Sequence, residues 1–518
     1  MRNRSSSLNL VLVLVGLAVL LVFFLALALQ FRPGSRPPWI SAGRELPTSA
    51  VVIVPTPTLG WGLPTRRPPG APILTPTPDA PHALPALRKD PEMYQVQPGD
   101  TLGKIADHYG VSLELLAQAN ELANPNLLSV GQALVIPAPT PGASGPGFKI
   151  IPDSELVYGP ASIDFSVEAF AQQQGGYLAN YRETVNDKSL SGAQIVQNIA
   201  QDYSVNPRLL LAALQYQGEW LTNDTPKPAQ RDYPLGFPDP ARKGLYRQLA
   251  WAANNLNRGF YLWRVDGAAT WTLGDGSIVP ISPVINAGTA GVQHLFALLY
   301  GRAGWEAAVS QAGLFAVYNQ FFGYPFDYAI EPSLPPGLAQ PAMQLPFELN
   351  VQWAYTSGPH GGWGDGSAWA ALDFAPAIQA IGCVQSDDWV VAVADGLILR
   401  AGDGAVLQDL DGDGLEQTGW VVLYMHIETR HRVQTGAYLK AGERIGHPSC
   451  EGGITTGTHV HLARRYNGEW IPADQNLPFI LDGWVSSGAG AEYDGYLQRG
   501  GQRIEAFGGL SPENVIQR

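Results

Sequence analysis

The sequence predicts a multidomain chain of mixed α+β class. It reads as an N-terminal transmembrane helix, a small β-α-α-β module, a helical middle region and a C-terminal antiparallel β-rich domain. Three observations predict it. The chain has 518 residues, more than one hydrophobic core organises. An uninterrupted apolar run from Leu10 to Leu29 is long enough to cross a bilayer as a helix. Further along, helical spacing of apolar residues gives way to short apolar runs between Gly-rich turns. Composition excludes one class of partner: a formal net charge of -13 leaves no footprint for nucleic acid.

Residues 1–30 are expected to be an anchor or a signal. Arg2 and Arg4 precede the apolar run, which places the rest of the chain outside the cytoplasm. The competing reading is a cleaved signal peptide, because Ala26 and Ala28 form an A-x-A pattern. The expected location is therefore the extracytoplasmic cell envelope, with the cytoplasmic membrane as a partner if the helix is retained. Residues 31–91 are Pro-rich, with PTPT at Pro55–Thr58 and TPTP at Thr75–Pro78. Such composition builds no core and favours an extended spacer.

Residues 92–138 form the small module. Leu102, Ile105, Ala106 and Tyr109 fit one helical face, and Leu113, Leu116 and Ala117 a second, with short strands at either end. From Tyr94-Gln-Val-Gln-Pro-Gly-Asp-Thr-Leu102 to Val130-Gly-Gln-Ala-Leu-Val-Ile-Pro137 this segment resembles a lysin motif (LysM) domain along its whole length. The resemblance implies binding of peptidoglycan or chitin. Pro98, Gly99, Asp100 and Thr101 match the family's first loop, and Asn124 opens the stretch where its second loop falls.

A second linker, 139–148, precedes a helical region, 149–344. Asn206-Pro-Arg-Leu-Leu-Leu-Ala-Ala-Leu-Gln-Tyr-Gln-Gly-Glu-Trp220 reads as a helix with Pro207 in its first turn. The "NPxxLLxxxQ" pattern resembles, locally, an all-α lysozyme-like domain related to transglycosylases. Gln217 stands where that family places its catalytic glutamate, and an amide donates no proton to a glycosidic oxygen. Glu219 is out of register and reads as a surface carboxylate. The region is expected to bind the wall without cleaving glycan.

Six of the nine histidines lie beyond residue 350. Four elements stand out: Ser357-Gly-Pro-His360, Ala371-Leu-Asp373, Val421-Val-Leu-Tyr-Met-His426 and Gly457-Thr-His459-Val-His461. A catalytic zinc takes three protein ligands and keeps a fourth position open. Residues i and i+2 of a strand share a face, so His459 and His461 project into one groove. The segment 345–483 resembles a lysostaphin-type (LytM) zinc metallopeptidase. Trp369 replaces the usual first histidine of its H-x-x-x-D motif, and His360, thirteen residues before Asp373, instead matches the beta-lytic and staphylolytic branch. The resemblance implies zinc on His360, Asp373 and His461, catalytic roles for His426 and His459, and hydrolysis of peptide bonds in peptidoglycan. The rival class is a non-catalytic LytM-type regulator of other hydrolases. His431 and His447 fall outside the motif and read as structural.

Two further features lie in the same region. Cys383 and Cys450 are the only cysteines, and in an exported chain they suggest one disulfide, with two free thiols as the alternative. Asp409, Asp411 and Asp413 match the opening of a calcium loop, D-x-D-x-D-G, although Trp420 occupies the twelfth position where such loops carry glutamate. Calcium and an acidic hairpin loop are both open readings. Residues 484–518 are expected to be a tail.

Overall fold

The computed structural model describes residues 66–68, 71–97, 100–122, 124, 127–139, 143–377 and 382–518. The apolar run Leu10–Leu29 lies outside the described residues. Among those described, no helix is long and apolar enough to cross a membrane.

The small module pairs Glu92–Gln95 antiparallel with Ala133–Ile136 and sets the helices Leu102–Tyr109 and Leu113–Ala119 against the pair. Leu102, Ile105, Ala106 and Leu116 are buried with Val96, Val111, Leu134 and Ile136. Leu113, expected on the inner face, is exposed. It opens the second helix directly after the cap Ser112, whose hydroxyl accepts from Leu115 N, so the inward stripe begins one turn later.

The helical region holds the 20-residue helix Leu245–Arg264 and the helices Gly192–Tyr203, Pro207–Gly218, Ala287–Ala297 and Leu314–Phe322 around one core. Asn206 caps the Pro207 helix as its sequence predicts, its side chain accepting from Arg208 N. The region is not all-α. Hairpins Arg182–Val185/Lys188–Ser191 and Thr270–Thr272/Ile278–Pro280 interrupt it, each too short for alternation to register as strand. Gln217 accepts a bond from Tyr300 Oη at 2.7 Å. Glu219 ends the Pro207 helix in the left-handed region, φ 58°, and is exposed.

Two expected spacers are laid down on this core. His82 stacks on Trp263, Asp79 pairs with Lys149 at 2.6 Å, and Arg67 pairs with Asp327 over the ring of Tyr324. Ala143 and Ser144 carbonyls accept from the Arg302 guanidinium, and Gly145 N donates to Pro280 O. Proline supplies no N–H of its own, so these segments dock through side chains and the few remaining amides.

The C-terminal domain is built on a nine-stranded antiparallel sheet. Its order is Tyr438–Leu439, Gly396–Gly402, Ala405–Asp409, Trp420–Met425, Val460–Tyr466, Ala371–Pro376, Gln352–His360 and Val515–Gln517, with Glu469–Trp470 pairing to Val460–Tyr466. Both faces are covered, which is why Trp420–Met425 and Val460–Tyr466 are buried along their whole lengths. One face carries Tyr355, Leu372, Phe374, Val422, Tyr424, Val460 and Leu462 into the domain's own core. The other presents Ala371, Leu407, Leu423, Met425 and Ala463 to the core of the helical region. The expected tail is folded. Ile480–Leu481, Trp484–Gly488, Gly495–Arg499 and Gln502–Glu505 make a four-stranded sheet, and Val515–Gln517 closes the edge beside Gln352–His360. Its strands are short and separated by Gly-rich turns, which left no readable period.

Candidate metal and catalytic site

The sheet register assembles the site. His461 lies opposite Asp373 on one neighbouring strand and Met425 on the other, so all three share the face that meets the helical region. His360 ends the next strand, and His426 follows Met425 with φ 63°. That left-handed turn, uncommon outside glycine, ends the strand beside His459.

His360 Nε2, Asp373 Oδ1 and His461 Nδ1 converge. The two nitrogens are 3.0 Å apart, and Asp373 Oδ1 stands 3.2 Å from the first and 3.3 Å from the second. All three residues are buried, and their candidate ligand atoms lie within 4.8 Å of one another. Asp373 Oδ1 is a buried acceptor with no hydrogen-bond partner, a costly state that a cation between the three groups relieves. The far nitrogens are fixed by backbone: His360 Nδ1 donates to Gly358 O at 2.8 Å and His461 Nε2 to Gly362 O at 3.0 Å. This is the outer-shell bonding that sets tautomer and ring angle in a metal-ligating histidine. The residues present fit a zinc ion.

Electrostatics agree. Burial would raise the Asp373 carboxyl, but His360 and His459 beside it hold it well below the carboxylate range. Burial would lower His360, and the Asp373 charge overrides it and raises it. His461 is lowered by burial, against the pull of Asp373. His426 is pushed down to about 4 by burial and by its neighbours His459 and His461. It is therefore neutral at pH 7, with Nδ1 donating to Glu451 O at 3.0 Å and Nε2 left as a base. The His426 and His459 rings are 4.5 Å apart. His459 Nδ1 donates to Gly457 O at 2.8 Å, and its Nε2 stands 3.6 Å from Asp373 Oδ2.

One residue escaped the sequence reading. Tyr493, from the folded C-terminal segment, stacks over His360 with ring centroids 4.8 Å apart and an interplanar angle of 24°. Its amide donates to Pro359 O at 3.0 Å and its carbonyl accepts from Gly358 N at 2.6 Å. Its φ of 73° is held by those two bonds. No motif marks it; only the pairing of a distant segment with the Gln352–His360 strand brings it in.

The other candidates resolve differently. Cys383 and Cys450 form a disulfide, Cα–Cα 5.7 Å. His447 lies under Trp389 and meets His431 at 3.2 Å, outside the cluster. The Asp409, Asp411 and Asp413 carboxylates approach one another, but Asp409 accepts from the amides of Asp411, Gly412 and Gly414, and Asp413 from Leu415 N and Thr418 Oγ1. The loop's own donors occupy the Asp409 and Asp413 oxygens, and calcium gains no support. In the first LysM loop Asp100 accepts from Tyr94 Oη and Gln97 N, both at 2.7 Å, and Thr101 Oγ1 from Lys104 N. Asn124 is exposed. Pro98 and Gly99 lie outside the described residues.

Comparison with known proteins finds three family matches along the chain. Residues 94–137 match the LysM domain model, 149–335 the model of the LasA N-terminal domain and 380–472 that of peptidase family M23. The middle match replaces the lysozyme-like resemblance expected there. Protease LasA of Pseudomonas aeruginosa is 26% identical over 62% of this chain and 74% of its own length. Beta-lytic metalloendopeptidase of Achromobacter lyticus is 27% identical over 31% of this chain and 43% of its own length. Among solved structures, the M23 metalloprotease pseudoalterin aligns at 23% identity over 35% of this chain and 100% of its own, TM-score 0.28. In chain order, then, this protein carries a LysM domain, a segment matching the LasA N-terminal domain and a peptidase family M23 domain.

Proposed function

We propose that the chain is a zinc-dependent endopeptidase that hydrolyses peptide bonds of bacterial peptidoglycan, directed to the wall by its LysM domain. One observation carries the reading: an unpartnered buried carboxylate oxygen of Asp373 faces two imidazole nitrogens, with a neutral histidine alongside. His360, Asp373 and His461 hold the metal, and zinc bound there supplies Lewis acidity toward a carbonyl and an attacking water. His426 takes the proton of that water at Nε2. His459, its ring 4.5 Å from that of His426, orients the water through its Nε2 lone pair; the protonated His426 then steadies the oxyanion of the tetrahedral intermediate and returns the proton to the leaving amine. The Asp100–Thr101 loop and the Asn124 stretch hold the glycan, and the protein works outside the cytoplasm.

The test is zinc analysis of the full chain together with digestion of purified peptidoglycan and mass spectrometry of the products. The expected result is about one zinc per chain and new amino termini at a defined peptide bond. His360→Ala, Asp373→Ala and His461→Ala each lower zinc content. Wild-type protein that binds zinc yet releases no amino groups from any peptidoglycan type overturns the enzyme reading in favour of a wall-binding regulator. Full zinc occupancy in His360→Ala removes that residue from the site.

A further inference from the structure

The loop 361–367 leaves His360 and carries the carbonyl that orients His461. Four of its seven residues are glycine: Gly361, Gly362, Gly364 and Gly366. A segment of that composition has wide backbone freedom and little intrinsic shape. Contacts within and beside it help: Trp363 N donates to Ser367 Oγ at 3.0 Å, Ser367 Oγ to Gly364 O at 3.2 Å and Gly362 N to Ala368 O at 3.1 Å. At its start Gly361 N donates to Glu492 Oε1 at 3.2 Å. Its far half is held from the helical region. Asn254, on the helix Leu245–Arg264, donates through Nδ2 to Asp365 Oδ1 at 2.6 Å and accepts from Gly366 N at 3.0 Å. The approach is close enough to require glycine on the loop. A Cβ at Gly366 would stand 1.9 Å from Asn254 O, and one at Gly364, where φ is +69°, would stand 2.6 Å from Asn254 Oδ1.

The loop's other side is fixed from the same direction. Gly362 lies on the indole of Trp470, where a Cβ would fall 2.6 Å from Cε3. Trp470 N donates to Tyr261 Oη at 2.8 Å, and its Nε1 donates to Tyr203 O at 3.3 Å. Helical-region groups therefore reach the loop on both sides: Asn254 at Asp365 and Gly366, and Tyr261 and Tyr203 through Trp470 beside Gly362.

We propose that Asn254 is a positioning residue of the peptidase site: by clamping Asp365 and Gly366 it holds the Gly362 carbonyl on His461, so the metal site is completed across the boundary between the helical region and the peptidase domain. The proposal rests on the zinc-peptidase reading above. It makes the helical region part of the apparatus that binds metal. A fixed acceptor at Gly362 keeps the proton of His461 on Nε2, and the Nδ1 lone pair then faces His360 and Asp373.

The experiment uses full-length protein and a charge-sensitive pair. Asn254→Asp sets a carboxylate against Asp365 and removes the donor. Adding Asp365→Asn returns a donor to the loop while the new side chain still accepts from Gly366 N. Asp365→Ala removes the same bond without touching the helix. Zinc release to a chelator is followed as a rate, alongside kcat and KM on peptidoglycan fragments and Tm. Asn254→Asp and Asp365→Ala should release zinc about tenfold faster than wild type, the effect expected of an outer-shell partner, and should lose kcat more than KM. The Asn254→Asp/Asp365→Asn pair should return both readouts to within about twofold of wild type.

Arg400→Gln serves as the control. It breaks the contact to Asp202 between the same two regions and one to Glu416 within the peptidase domain, away from the loop, and should lower Tm with zinc release unchanged. Equal zinc release in wild type and both loop variants, failure of the pair to rescue, or the same zinc loss in Arg400→Gln overturns the proposal. So does a gain of activity in Asn254→Asp. Wild-type protein that holds no zinc overturns the peptidase reading itself, and this inference with it.

Discussion

The rings of His426 and His459 face each other at 4.5 Å across the approach to Asp373. Neither Nδ1 is available for chemistry, because Glu451 O and Gly457 O take those protons. His426→Ala and His459→Ala should therefore abolish peptide release from peptidoglycan while zinc content stays at the wild-type level, since both groups handle protons. Variants that cleave as fast as wild type would remove them from the mechanism. Loss of zinc in either would move that residue into the ligand set.

A pH effect on stability follows from His294. Burial pushes it down to about 4, and its Nδ1 donates to Asn255 O at 2.9 Å. In the unfolded chain the same ring titrates near 6.5. Above that pH both states are neutral and stability is full. As pH falls from about 6.5 to about 4 only the unfolded chain takes up the proton, and stability drops. The residue is half-buried, so the loss is about 2 kcal/mol. His294→Gln keeps a donor for Asn255 O and should flatten the fall in Tm between pH 7 and 4.5. An unchanged slope would refute the assignment.

The Arg208–Glu155 pair, 2.7 Å apart and almost wholly buried, lies under the ring of Tyr328. Tyr318 Oη donates to the same carboxylate. Glu155→Gln strands the guanidinium charge and should cost about 3–5 kcal/mol in chemical denaturation. Arg208→Met combined with Glu155→Leu should recover part of that loss: the uncharged pair strands no buried charge, while the Tyr318 hydroxyl loses its acceptor. A double variant no more stable than Glu155→Gln alone would contradict this.

Cys383–Cys450 spans 67 residues of sequence. It joins the 382–384 segment to the loop before His459, where the Thr458 hydroxyl also accepts from Val384 N and donates to Val384 O. Cys383→Ser with Cys450→Ser should lower unfolding stability by about 2–4 kcal/mol through the freed chain entropy of the unfolded state. Reductant should have the same effect on wild type and none on the double variant. Two alkylatable thiols in unreduced, unfolded protein would show that the bond does not form.

Legibility in the sequence followed distance along the chain. The LysM helices and the four histidine- and aspartate-bearing elements were readable because each motif is a few residues long and carries its own spacing. His459 and His461 needed only the two-residue strand period. Tyr493 and Asn254 were not readable. One reaches His360 from a late turn through two backbone hydrogen bonds, the other reaches Asp365 across a packed interface, and neither event leaves a local pattern. The Pro-rich stretch after Pro68 misled for a related reason. Composition tells that a segment makes no core of its own, but not that it lies on another's, as Asp79 and His82 do.

The LysM module rests on the helical region as well. Gly110 comes so near Thr270 that a Cβ would stand 3.0 Å from its hydroxyl, and a cleft of about 510 Å³ runs between Ser112, Glu114 and Gln118 on one side and Ser277 and Arg302 on the other. The module and the peptidase domain thus sit against the same helical region. If the module clasps the wall as proposed, cuts should fall at a set distance from the clasped strand, leaving fragments of narrow size distribution instead of a random digest.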